Sequence, residues 1–154
     1  MGILTPDMKR VVREQRLGYI ATVCLDGTPN LSPKGTTAVW DDDHLMFADI
    51  RSPQSVRNIE VNPAVEINVV DPLLRKGYRF KGRGVVHRSD GVFERACQMY
   101  RGIGLTHEIQ SVVLIRVERA LPVISPAYDR GATEDEVKDR WRRYWRKLWD
   151  GVEE

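Results

Sequence analysis

The spacing of short apolar runs constrains this chain most. Six stretches carry a strand pattern, over residues 19–25, about 30–40, 44–49, 64–70, 78–87 and 109–117. Asp26-Gly27, Asp41-Asp42-Asp43 and Asp71-Pro72 punctuate them, and Asp-Gly between apolar runs is a strong hairpin signal. A doubly wound α/β sheet needs regular crossover helices, which the chain lacks. The pattern predicts a mainly β fold, an antiparallel sheet closing into a small barrel with peripheral helices. Closure also removes the open edges that so many short strands would otherwise expose.

Helices fall between and after these strands. Thr5-Pro6-Asp7 combines a cap, a proline at the first helical position and a first-turn acid, and Gly18 is the expected stop. Ser52-Pro53 opens a second helix that ends before Pro63, because the residue preceding proline is pushed out of the α region. Ser89-Asp90 opens a third, with Phe93, Ala96, Cys97 and Tyr100 on one stripe. Thr133 and Glu136 have capping-box spacing ahead of an apolar stripe of Val137, Trp141, Tyr144, Trp145 and Leu148. Residues 1–124 thus form the barrel domain. Residues 125–154 form a loop and an amphipathic helix that packs on the barrel or on a partner subunit.

Composition excludes several function classes. A net charge of +2 gives no argument for nucleic acid. The arginines of the last helix permit such binding, but its acidic first turn opposes it. No apolar run approaches the roughly 20 residues of a membrane span, and no signal-peptide core opens the chain, which therefore reads as cytoplasmic. Cys24 and Cys97 form no CxxC, and His44, His87 and His107 fall in three separate segments, so no metal site is expected. Cys24 reads as a core residue and His44 as solvated. No zinc-hydrolase, serine-elbow or P-loop motif is present, and no side chain stands out as a catalytic acid or base.

Residues 30–63 hold the one constellation with chemical content. Period-2 alternation places Ser32, Lys34, Thr36 and Ala38 on one strand face. That strand is expected to pair with the next, which leads directly into the helix at Ser52. The first N–H groups of a helix lack internal partners and carry the positive end of its dipole, so they form an anion site. A lysine, hydroxyls and a helix N-terminus converging there suit a phosphate-bearing ligand.

The run NLSPKGT, the turn DDDH, the segment LMFADIRSPQSVRNIEVNPAVEINVVD and then GYRFKGRGVV resemble the pyridoxamine 5'-phosphate oxidase-related family of FMN-binding split β-barrels. The resemblance spans about Met8 to Val117. It implies a six-stranded antiparallel split barrel with Greek-key character, and a homodimer carrying FMN at the subunit interface. Carried over by position, Lys34 meets the phosphate or ribityl side, and Gly35, Thr36 and Ala38 run along the ring system. Asp49 and Ile50 form the turn into the phosphate helix, with Ser52, Gln54 and Ser55 as its phosphate cluster. Arg79 reaches the flavin from the partner subunit.

Two departures bear on function. The oxidases usually have Arg-Lys where this chain has Gln54-Ser55, so FMN loses two charged contacts, and a deazaflavin becomes the alternative cofactor. Their Arg-x-His substrate motif and C-terminal arginine are replaced by the Trp/Arg helix. The chain therefore reads as a flavoprotein oxidoreductase acting on something other than pyridoxamine phosphate. The alternative is a non-catalytic flavin- or deazaflavin-binding redox sensor.

Overall fold

A computed structural model describes residues 2–151. The elements run α1 (Pro6–Gln15), β1 (Gly18–Val23), β2 (Pro29–Lys34), β3 (Ala38–Val39), β4 (His44–Asp49), α2 (Pro53–Val61), β5 (Ala64–Asp71), β6 (Lys76–His87), α3 (Gly91–Gly102), β7 (Ser111–Ile124), a 3-10 turn (Tyr128–Arg130) and α4 (Glu134–Asp150). One antiparallel sheet has the strand order β2-β1-β5-β6-β7-β4-β3. β2 and β3 lie at opposite ends of that order, yet Gly35, Thr36 and Thr37 alone join them. Those few bonds span at most roughly 14 Å, so the sheet curls until its edges nearly meet. The result is a split barrel.

Seven strands replace the expected six because the stretch 30–40 does not stay on one edge. It pairs with β1 as far as Lys34, turns at Gly35 and Thr36, and resumes as β3 against β4. β7 runs past Val117 to Ile124 and pairs with β6 almost throughout. A register shift at Lys81/Gly82 accommodates the extra length. Gly82 is required there, since a Cβ would lie 2.1 Å from the Arg116 carbonyl oxygen.

The barrel interior is filled by Ile20, Leu45, Phe47, Ile67, Phe80 and Ile115, and α1 adds Val11 and Val12. α2 adds Val56 and Ile59 to the same core. β4 is apolar on both faces: Leu45 and Phe47 point inward, while Met46 and Ala48 pack outward with Ala96 and Tyr100 of α3. Thr5 caps α1 through its hydroxyl as its sequence predicts. The stop is Arg16, at φ 57, rather than Gly18. Cys24 lies just beyond β1 and is half-buried rather than a core residue.

The tail is fastened to the β5–β6 turn within the same chain. The Arg75 guanidinium lies 3.4 Å from the Trp141 ring centroid. Lys76 pairs with Glu134 at 2.8 Å, and the Tyr128 hydroxyl donates to the Leu74 carbonyl at 2.6 Å. Thr133 and Glu136 form the expected capping box, and Val137 is buried. Trp141 and Trp145 of the stripe are half-buried, while Tyr144 and Leu148 are exposed. Residues 152–154 of the expected tail lie outside the described residues. No helix of the described residues is long and apolar enough to cross a membrane.

Candidate functional site

Lys34 ends β2, and its side chain turns toward the barrel, where it is 4% exposed. Its ammonium donates to Ser32 Oγ at 2.7 Å and stands 5.7 Å from the Phe47 ring centroid. Burial pushes its pKa below the usual lysine range, and the nearby Asp49 carboxylate partly offsets this. Among the described residues the two make no ion pair, so a buried cation is left with a neutral hydroxyl and a ring face, which costs free energy unless an anion joins it.

Asp49 ends β4 and is buried. Alternation along β4 puts it on the inward side with Leu45 and Phe47. Its Oδ1 accepts the Ser52 N–H at 2.6 Å, tying the β4 end to the start of α2. Ser52 nevertheless departs from its expected role as a cap. Ser52 has φ −133 and ψ 52, and its side chain caps no helix N–H. Pro53 has no N–H, so the amides of Gln54 and Ser55 open α2 without a side-chain cap. Ser111 faces Asp49 across β4 and β7. It is 1% exposed, and its hydroxyl is a buried group without a partner among the described residues.

The break after β2 redistributes the residues expected on one face. Ser32 and Lys34 stay together, but Thr36 bridges to the other edge. Its hydroxyl donates to the Ala48 carbonyl at 3.1 Å and accepts the Ala48 N–H at 3.0 Å. The Tyr100 hydroxyl, pushed far above its usual pKa by burial, donates to the Thr36 carbonyl at 2.7 Å. Thr37 closes the turn by donating its hydroxyl to the Lys34 carbonyl at 2.8 Å. Ala38 faces outward beside Met46 and α3, and Gly35 is exposed with open space around it. Of that stretch only Ala38 and Val39 pair with the strand entering α2, while Lys34 pairs with β1. Lys34 nevertheless comes near enough to Asp49 to feel its charge, because the barrel closes.

The remaining predicted positions diverge. Ile50 is half-buried in the bend after β4. Ser55 is buried, whereas Gln54 is exposed, with its amide donating to Asn58 Oδ1 at 2.7 Å and accepting from Arg57 at 3.0 Å. Asn58 in turn donates to Thr22 Oγ1 at 3.0 Å. Arg79 is exposed on β6, 3.6 Å from Glu66. His44 is half-buried and bonded to Asp41 at 2.8 Å rather than free in solvent. Among the described residues no cluster could hold a metal ion. The sequence does not single out Ser111, and it places Tyr100 on the apolar stripe of α3 rather than at the site. The signal for Ser111 was a lone hydroxyl opening the apolar run SVVLI; Tyr100 gave none, because an aromatic on a helical stripe reads as core.

Residues 4–120 match the sequence model of the pyridoxamine 5'-phosphate oxidase family. The structure of HupZ from Group A Streptococcus is similar with a TM-score of 0.72 at 32% identity, covering 80% of this chain and 96% of that one. An FMN-binding protein from Syntrophomonas wolfei shares the fold at TM-score 0.67 and 13% identity, covering 79% and 87%. An F420 reductase shares it at TM-score 0.60 and 21% identity, covering 76% and 98%. No curated protein sequence matches the chain.

Proposed function

The chain belongs to the pyridoxamine 5'-phosphate oxidase family, and on that premise we propose that it is an FMN-binding flavoprotein, a homodimeric oxidoreductase whose substrate is not pyridoxamine phosphate. One observation carries the reading. The buried Lys34 ammonium, the unpartnered Ser111 hydroxyl and the uncapped start of α2 are linked through Asp49. Such a set lacks one thing, a small oxyanion, and the phosphate of FMN is one.

In this role Lys34 neutralises phosphate, Ser55 and the amides of α2 donate to it, and Ser52, held by Asp49, keeps the turn in place. Gly35 leaves room for close approach, and Thr36, pinned at both its hydroxyl and its carbonyl, gives a rigid wall with Ala38 and Ile50 beside it. When bound, FMN supplies the redox chemistry by taking up and releasing a pair of electrons. Arg79, exposed on the barrel wall, contributes its cation to the cofactor of a second subunit. The Trp/Arg tail, in place of the oxidase substrate motif, supports a different substrate.

A second reading, a deazaflavin in the same site, is favoured by Gln54. Its side chain is engaged with Asn58 and Arg57 and brings no charge to phosphate. The F420 reductase of the same fold is consistent with it. The test is the visible spectrum of the purified protein after incubation with excess FMN and desalting. Retention of about one oxidised flavin per chain supports FMN. A protein that loses FMN on desalting but retains an added deazaflavin supports the second reading, and retention of neither overturns both.

A further inference from the structure

A separate concavity of about 430 Å³ opens between the C-terminal end of α1, the edge strand β3 and the end of α3. Val39, Trp40, Met46, Met99 and Ile103 give it an apolar lining, and Arg13 and Arg16 are its charged residues. No acidic residue lines it. Neither guanidinium has a partner among the described residues. Cations suit the negative end of a helix, which accounts for arginine near the end of α1 but not for two of them lining one apolar groove.

The backbone adds an independent observation. Arg16 is the C-cap of α1 in the left-handed region, with φ 57 and ψ −9. Glycine is the ordinary residue at such a cap, because a Cβ there is strained. This chain keeps an arginine in that strained place, and strain held at a concave site points to use.

We propose that this groove binds a small molecule with an apolar body and a single oxyanion head. Trp40, Met99 and Ile103 receive the body, since a thioether adapts to varied apolar shapes. Arg13 and Arg16 hold the head, as guanidinium forks match planar oxyanions in two-point contacts. The volume is in the range of small-ligand sites, roughly 300–1,000 Å³. Thr37 and Ala38 also line the groove, so its occupant lies beside the proposed flavin; that it is the redox substrate rests on the flavin reading, whereas the binding does not.

The probes are 8-anilinonaphthalene-1-sulfonate, an aromatic monoanion, and N-phenyl-1-naphthylamine, its uncharged counterpart. Both are titrated by fluorescence into FMN-free protein. The expected result is one saturable sulfonate site per chain whose Kd rises at least tenfold in R13Q/R16Q, with the neutral probe unchanged. Arg16→Gly, which removes both charge and strain, is expected to weaken the sulfonate at least threefold while raising Tm. Sulfonate affinity unchanged in either variant overturns the proposal, as does equal loss of both probes. Arginine-dependent binding in a protein that retains no flavin sinks the flavin reading alone. Retained flavin with arginine-independent binding sinks the groove alone.

Discussion

Replacing Lys34 with methionine should stabilise the protein and weaken FMN binding at once. The ammonium is 4% exposed, with one neutral hydrogen bond and a carboxylate beyond contact. Exchanging an incompletely paired buried charge for an apolar side chain of similar length stabilises by about 1–3 kcal/mol. For a chain of this size that is roughly 3–10 °C in Tm. Loss of a charge-assisted contact to phosphate costs about 1.5–3 kcal/mol, or roughly 10- to 150-fold in Kd. The pH dependence has a definite sign. The folded pKa of Lys34 is lowered, so between it and the unfolded value the unfolded chain holds more protons, and stability rises with pH there. The penalty is full below the folded pKa and gone above the unfolded one. Thermal melts across the alkaline range and FMN titrations of both proteins are the assays. K34M should lose that alkaline gain. A destabilised K34M, or one whose FMN affinity stays within twofold, refutes the reasoning.

Three further outcomes follow from the geometry. Tyr100→Phe leaves the Thr36 carbonyl without its buried donor and should cost about 1–3 kcal/mol in a chemical melt, whereas exposed Tyr144→Phe should fall within about 0.5 kcal/mol of wild type. Trp141→Ala should destabilise by about 1–3 kcal/mol, and a double-mutant cycle with Arg75→Ala should show coupling of about 0.5–2 kcal/mol; strict additivity would mean that the stacked pair does not fasten the tail. The Tyr78 hydroxyl, and then Arg10, hold the Asp7 carboxyl below its usual pKa, so its small contribution is present above the unfolded value and lost as pH falls through the folded one. Asp7→Asn should therefore lower Tm slightly at pH 6, by a margin that shrinks as the solution is acidified.

Local chemistry made much of the fold legible. Thr5-Pro6 and the Thr133/Glu136 box start helices where they should, because a hydroxyl cap acts within four residues. The family pattern matched over most of the chain, and the barrel followed from strand spacing. What escaped depends on contacts between distant residues. Stretch 30–40 reads as one strand, and only closure of the sheet makes Lys34 an edge of β1 and Ala38 an edge of β4. Ser52 has every local mark of a cap, but its backbone sits at ψ 52 rather than in the extended range of the capping Thr5 and Thr133, and its hydroxyl caps nothing. Gln54 and Ser55 adjoin in sequence, yet helix geometry buries one and leaves the other on the surface. The α4 stripe predicted burial along its length, whereas within one chain Val137 is buried, Trp141 and Trp145 are half-buried, and Tyr144 and Leu148 are exposed.

Calorimetric titration of the FMN-free protein with FMN, and separately with riboflavin, isolates the phosphate that Lys34, Ser111 and the start of α2 are assigned to hold. One FMN per chain, with riboflavin weaker by roughly 10- to 150-fold, is the predicted result. Equal affinities, or no binding of either, would contradict the assignment of these residues as a phosphate site.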